Sequence, residues 1–228
     1  MKPIFILFII TTTTPILGQL RYPAGVINVN TTPGVGIVEE LRPEAEEVKN
    51  VLYLYDDWKT IVFTIANDEK KYRFPGRIDI LNDRIELKDS RTLKVIQGRL
   101  INYILLQDTG SSDRFFIRNN SFDNQTEFPL GFYEVLTEGK INLLKLYGYL
   151  LLQSSYNPAL DVGNRSPELR LTEGYVIMKN NSAFELPNKK KEIFALLGDS
   201  AESISKKESL NPKKDEELIQ LITLLNQK

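Results

Sequence analysis

Two adjacent carboxylates, Asp56 and Asp57, stand directly before the single tryptophan of the chain, Trp58. Tyr53 and Tyr55 precede them. Paired carboxylates beside aromatic rings are typical of sugar subsites, where acids transfer protons and rings stack on a sugar face. Adjacent strand residues point to opposite faces, however, so these two acids form a facing pair only if a turn intervenes. We interpret them as a turn into the first strand and expect Trp58 to be buried. A carbohydrate-binding module that uses Tyr53, Tyr55 and Trp58 is an alternative function.

A second stretch with chemical potential contains Asp108, Thr109 and Gly110. These residues resemble the active-site loop of pepsin-like and retropepsin-like aspartic proteases. In that family two such loops face each other, so that two Asp share one proton and activate a water. Asp-Thr-Gly occurs once here, so a homodimer would be required, and Gln107 stands where the family usually has an apolar residue. We interpret the stretch as a polar hairpin tip and keep a homodimeric aspartic peptidase as a further alternative.

The residue types that are absent exclude several kinds of chemistry. The chain contains neither Cys nor His. Thiol nucleophiles, disulfides, Ser-His-Asp triads and the usual zinc sites are therefore excluded. Lys and Arg number 29 and Asp and Glu number 30, so the chain lacks the basic excess that attracts nucleic acid. Without a coherent catalytic or metal-binding constellation, we expect a non-enzymatic protein with no cofactor, no metal and no nucleic-acid partner.

The first 18 residues have the layout of a secretory signal. Lys2 precedes an apolar run at 4–10, and the small residue Gly18 stands before Gln19. The run is much shorter than the ~20 residues that span a bilayer. Because the chain has no Cys to carry a lipid, we predict that the exported protein is not a lipoprotein. It is expected in the periplasm, at the cell surface or outside the cell, without inserting into the membrane. The mature chain should be soluble or held only by a partner protein of the envelope.

The pattern of the remaining chain divides it into three sections. Residues 19–50 contain three prolines and no sustained periodicity, which indicates an extended lead segment. Residues 51–187 consist of short apolar runs broken by polar turn pairs, as in antiparallel β domains. Residues 188–228 change to a helical period. We predict an α+β fold, mainly antiparallel β, as a meander sandwich or partly open barrel with a C-terminal group of three short helices packed on it.

Several finer expectations concern the β section. Alternation of Ile78 and Ile85 with Arg77 and Glu86 predicts one sheet face on a core and one face in water. A polar section at 154–174 is predicted to be a long loop. Further strands are predicted at 60–66, 100–106, 114–118, 132–136, 141–151 and 175–179, and Asn180-Asn181 is predicted to form a hairpin turn.

The helical section has its own signals. Asn188, Asp199 and the Asn211-Pro212 pair are predicted to begin the three helices, and Gly198 is predicted to end the first. The third helix carries an apolar stripe at the i, i+3, i+4, i+7 spacing, which favours packing on the sheet. The stripe consists of Leu218, Leu221, Ile222 and Leu225.

Three stretches of the chain are distinctive as a set: Tyr-Leu-Tyr-Asp-Asp-Trp at 53–58, Gly-Phe-Tyr-Glu-Val-Leu-Thr-Glu-Gly-Lys at 131–140, and Leu-Asn-Pro-Lys-Lys-Asp-Glu-Glu-Leu-Ile at 210–219. Together they resemble uncharacterised secreted proteins of Bacteroidota. The resemblance implies a small exported envelope protein of mixed β and helical structure, and it brings no activity, substrate or catalytic residue with it. The leading hypothesis is an exported, non-enzymatic envelope protein that acts as a binding or assembly module.

Export carries a direct prediction about the mature chain. The protein isolated from its native cells should begin at or within a few residues of Gln19, because the small residue before it fits a signal peptidase site. Mass spectrometry of the intact protein measures this start. A chain that still begins at Met1 would contradict export.

Overall fold

The computed structural model describes residues 39–41, 53–66, 68–89, 92–108, 110, 112–152, 160–163 and 168–227. The predicted signal peptide lies outside these residues, as does most of the predicted lead segment. Three residues of that segment are described, and they form a strand at the edge of the sheet.

The described residues form eleven strands and three helices. The strands are β1 (Glu39–Leu41), β2 (Lys59–Ile65), β3 (Asp68–Asp79), β4 (Arg84–Asp89), β5 (Thr92–Gln97), β6 (Ile101–Gln107), β7 (Arg114–Arg118), β8 (Phe132–Val135), β9 (Ile141–Leu152), β10 (Glu168–Lys179) and β11 (Ser182–Glu185). The helices are α1 (Lys190–Leu197), α2 (Ser200–Lys207) and α3 (Asp215–Asn226). The predicted α+β fold with three C-terminal helices is confirmed.

All eleven strands belong to one antiparallel sheet, in the order β1-β5-β4-β3-β2-β6-β7-β8-β9-β10-β11. Two meanders, β2 to β5 and β6 to β11, are joined where β2 pairs with β6. Short turns connect most neighbours, and Asn180 and Asn181 both take positive φ in the predicted hairpin turn before β11. The outermost strands, β1 and β11, do not pair with each other, so the sheet of the described strands is open.

The sheet curls over its main core. Ile96 of β5 belongs to the same buried cluster as Phe116 of β7 and Phe132 of β8, strands that lie far from β5 in the sheet order. Arg118 of β7 reaches the turn after β3 and donates two hydrogen bonds to Asp83, at 2.5 and 2.8 Å. Because Arg118 is almost fully buried, this pair ties the two meanders together inside the curl.

Strand β10 begins seven residues earlier than the sequence pattern indicates. The predicted loop at 154–174 is wrong for residues 168–174, which pair with the second half of β9 from Glu168↔Leu152 to Gly174↔Leu146. The polar composition of residues 168–174 does not predict a strand. These residues form one because they pair with the apolar second half of β9.

Helix boundaries also differ from the predicted ones at two places. Helix α1 begins at Lys190 and α3 at Asp215, which is two to four residues after the predicted starts at Asn188 and Asn211. In none of the three helices does the N-cap side chain accept a hydrogen bond from the first turn. Gly198 ends α1 with φ of 108°, as predicted.

Helix α3 covers the base of the β9–β10 hairpin. Its four stripe residues are buried in one cluster with Ile141, Leu143 and Ile177 of the two strands. At the end of the helix the Asn226 amide accepts from the N–H of Ile141 at 2.9 Å and donates to its carbonyl at 2.7 Å, as a neighbouring strand would. The helix is therefore part of the fold of the hairpin.

Replacing Leu221 with Asp should lower the free energy of unfolding of the protein. Leu221 is completely buried, and a buried charge without a partner costs several kcal/mol, whereas Gln220→Asp on the exposed side of the same helix should cost within ~0.5 kcal/mol. Urea unfolding of both variants measures the difference. Equal stability of the two variants would contradict the docking of α3.

Candidate functional site

The structure places Asp108 just after the end of β6, beside a cation. Its carboxylate accepts a hydrogen bond from the Lys59 ammonium of β2 at 2.7 Å, and both side chains are about three-quarters buried (24% and 29% exposed). Thr109 lies outside the described residues, and Gly110 is an exposed turn residue with φ of 107°. Asp108 is thus held in an ion pair, whereas the peptidase mechanism requires two acids that share a proton.

Tyr53 and Trp58 come together, but their rings enclose a side chain of the protein itself. The guanidinium of Arg77 lies 3.8 Å from the centre of the Tyr53 ring and 4.2 Å from that of Trp58. Tyr53 also donates a hydrogen bond to Glu86 at 2.9 Å. Burial and this acidic partner raise the pKa of Tyr53 to about 12. One face of each ring therefore stacks on Arg77 through a cation–π contact.

Tyr55 does not join this pair. It packs against the main core instead. Burial raises its pKa well above the ordinary value. Asp56 and Asp57 are exposed in the bend before β2, as predicted, while Trp58 is only partly buried. The structure thus brings together two of the three aromatic residues that the sequence indicates for a glycan site.

The polar face of the β3–β4 hairpin is not in water, and the prediction that it is solvated was wrong. Asp79 is completely buried and Glu86 is 2% exposed. Arg84 donates to Asp79 at 2.9 Å and to Glu86 at 3.2 Å, and Arg77 donates to Glu86 at 3.0 Å. The segment 53–58 lies over this cluster, and Leu54 is hydrogen-bonded to Ile78. Two Arg and two acids therefore neutralise each other beneath the segment.

A second ionic cluster crosses the curled face from β7 to β9. Arg114 donates two hydrogen bonds to Glu134, at 2.6 and 2.8 Å, and a third to Tyr147 at 2.8 Å. Tyr147 in turn donates to Glu134. Burial alone would raise the pKa of Glu134, but these hydrogen bonds and the Arg114 charge outweigh it, so that the pKa lies below its ordinary value.

This second cluster continues across β10 to the start of α3, and we call the whole set of side chains from Arg114 to Asp215 the ionic row. Lys145, opposite Glu134 in the register, donates to Glu173 of β10 at 2.9 Å. Its ammonium lies 5.7 Å from the Tyr147 ring and 5.4 Å from the Tyr175 ring. Tyr175 donates a hydrogen bond to Asp215 at the first turn of α3. No single sequence motif connects these residues, because the strand register alone aligns them.

The exposed apolar side chains lie mainly on the projecting end of the β9–β10 hairpin. Beyond Leu146 strand β9 has no partner but β10, and before Val176 strand β10 has no strand partner but β9, within the part of the chain that the structure describes. We call residues 147–152 and 168–174 the apolar ribbon. Tyr149, Leu150 and Leu151 of the ribbon are each about half exposed.

Cross-strand neighbours make one face of the apolar ribbon continuous. Tyr149 lies opposite Leu171, and Leu151 lies opposite Leu169, so the four side chains share a face. Near the hairpin tip, Leu160 and Val162 are 69% and 55% exposed. Exposed apolar side chains that occur singly need no explanation, but a group on one projecting element indicates an interaction surface.

The described residues contain neither a grouping of acids for a metal ion nor a helix for crossing a membrane. Among them, no three Asp or Glu side chains are grouped so that they could hold a metal ion. No helix in the described part of the chain has the length and apolar composition needed to cross a membrane.

Replacing Glu134 with Gln should lower stability at neutral pH more than at acid pH. A carboxylate whose pKa is depressed by folding stabilises the protein above its unfolded pKa of about 4.3, and this contribution is lost as the pH falls through the folded value. We expect a loss of about 1–3 kcal/mol at pH 7 and a smaller one at pH 3, measured by urea unfolding. The control is Glu173→Gln, whose carboxylate is nearly half exposed. Equal losses for Glu134→Gln at both pH values would contradict the assignment.

Comparison with known proteins adds no constraint to this geometry. The chain matches no family model, no curated protein and no solved structure.

Proposed function

We propose that this protein is an exported, non-enzymatic binding or assembly module of the cell envelope, and that it contacts a partner protein through the apolar ribbon. The observation that carries the proposal is the concentration of exposed Tyr and Leu side chains on this one element. Contiguous apolar surface of this kind favours association with another protein, because association removes it from water.

The way in which the ribbon is held supports a binding role. Its two strands continue directly from the buried half of the same hairpin, where Leu143 and Ile177 pack under α3. A surface that extends from a packed base keeps its shape before a partner arrives, so less conformational entropy is lost on binding.

The state of the buried carboxylates supports a non-enzymatic protein. General acid catalysis near neutral pH needs a carboxyl group whose pKa is raised towards the working pH. The pKa of Glu134 is lowered instead, and Asp79, Glu86 and Asp108 each accept hydrogen bonds from Arg or Lys. These groups are best explained as ties between strands.

Polar substitution of the ribbon should abolish partner binding without unfolding the protein. We expect the double variant Leu150→Ser/Leu151→Ser to lose proteins that cross-link to the tagged wild-type chain in native cells. Both side chains are about half exposed, so the fold should tolerate the change. Mass spectrometry of the cross-linked products after purification measures the partners.

The matched control is Leu130→Ser. Leu130 is 75% exposed but lies outside the ribbon, between β7 and β8. It should keep every partner that the wild-type chain captures. Loss of the same partners in both variants, or retention in both, would contradict the assignment of the binding surface to the ribbon.

A further inference from the structure

Strand β11 lies beside only the last part of β10, and the apolar ribbon forms the rest of that edge of β10. Strand β11 pairs with β10 only from Val176 to Lys179, and the chain then turns away at Pro187 towards α1. The edge of β10 from residue 168 to 174 has no strand beside it among the described residues. An unpaired edge of this kind is a template for a further strand.

The backbone orientation along this edge follows from one hydrogen bond. The carbonyl of Tyr175 accepts from the N–H of Leu186 at 3.0 Å, so the polar groups of Tyr175 face the β11 side. Orientation alternates along an antiparallel strand. The N–H and C=O groups of Glu173, Leu171 and Leu169 therefore point outwards along the open edge, while those of the intervening residues point to β9.

Two cavities open beside the start of this edge, one on each face of the sheet. The first, of about 290 Å³, lies on the helix side, between Tyr175, Ile193 and Leu218. The second, of about 230 Å³, lies on the opposite face, between Phe128 and Leu146. Gly174, Tyr175 and Leu186 line both of them.

The size of the cavities and the geometry of a strand fit one kind of occupant. By volume each cavity is large enough for one big side chain. Ile193 and Leu218 in the first and Phe128 and Leu146 in the second provide apolar contacts for it. Consecutive residues of a strand point to opposite faces. A strand laid along β10 would therefore direct two neighbouring side chains into the two cavities.

We propose that an extended segment of a partner protein adds to the edge of β10 as a further strand, with two adjacent large apolar side chains in the two cavities. The main-chain hydrogen bonds provide affinity, and the cavities select the side chains. This inference rests on the proposed function, since it specifies how the partner of the apolar ribbon is held.

Gly174 offers a direct test of the second cavity. It lies opposite Leu146 in the register, and a Cβ added there meets nothing within 4 Å. Gly174→Ala should leave the cavity open, whereas the ring of Gly174→Phe should occupy it. Asn188→Trp is a second variant, because Asn188 is exposed and lines the first cavity.

The probe is a displayed library of random decapeptides, selected on the full mature chain. Enriched sequences should contain two adjacent large apolar residues. By fluorescence polarisation, the synthetic peptides should bind Gly174→Ala as they bind the wild type, and bind Gly174→Phe and Asn188→Trp at least tenfold more weakly. Thermal melting verifies that each variant is folded, and if Gly174→Phe is not, Asn188→Trp carries the test.

Backbone N-methylation of the bound peptide separates strand addition from binding by side chains alone. Only every second amide of an added strand faces β10, so methylation should weaken binding about fivefold at alternate positions and little between them. A loss of peptide binding that does not alternate along the peptide would overturn the proposal. So would peptides that bind Gly174→Phe as tightly as the wild type, or a selection that enriches no peptide. Self-association of the protein that Gly174→Phe abolishes would assign the edge to a second copy and overturn it as well.

The two proposals fail separately. If Leu150→Ser/Leu151→Ser loses its cellular partners while Gly174→Phe and Asn188→Trp keep them, strand addition is overturned and the binding function of the ribbon stands. If all three variants keep their partners, both proposals are overturned.

Discussion

The pairing of β9 with β10 over twelve residues is the constraint on which the other features depend. One end of this ladder forms the surface on which the stripe of α3 is buried, with Asn226 hydrogen-bonded to the backbone of Ile141. The middle aligns Lys145 with Glu134 and Tyr175, which places one ionic row across four strands. The other end extends beyond the neighbouring strands as the apolar ribbon. A shift of register by one residue would exchange the two faces and disrupt the helix contact, the ionic row and the ribbon together.

Buried charges tie distant parts of the sheet together, and each of them is matched by an opposite charge. Arg118 joins β7 to the turn after β3, and Arg114 joins β7 to β8. Because a buried charge that loses its partner is strongly destabilising, each pair permits few alternative arrangements of the strands. Of these carboxylates, Glu134 has its pKa held below the ordinary value by Arg114 and Tyr147.

The apolar ribbon contrasts with the way in which β-sheet proteins usually protect their edges. Natural edges carry Lys, Pro or a bulge that discourages a further strand. The free stretch of β9 is Tyr-Gly-Tyr-Leu-Leu-Leu, which has no charge and no proline. The stretch 168–174 of β10, which has no strand but β9 beside it among the described residues, contains Glu168, Arg170 and Glu173 and has two cavities next to its end. Side-chain pockets beside such an edge are the arrangement expected where a partner strand is added.

The sequence by itself determined the features that depend on residues close together in the chain. The stripe of α3 and the positive-φ turn at Asn180 and Asn181 were correct, since helix periodicity and turn chemistry act over a few residues. Tertiary structure decided which faces are covered and which polar stretches become strands. Glu86 is buried because segment 53–58 folds over it, and Arg170 lies in a strand because it pairs with Leu150. The ionic row from Arg114 to Asp215, the open edge of β10 and its two cavities arise in the same way. They depend on which strands pair, and this pairing joins residues far apart in the chain whose contacts local periodicity does not specify.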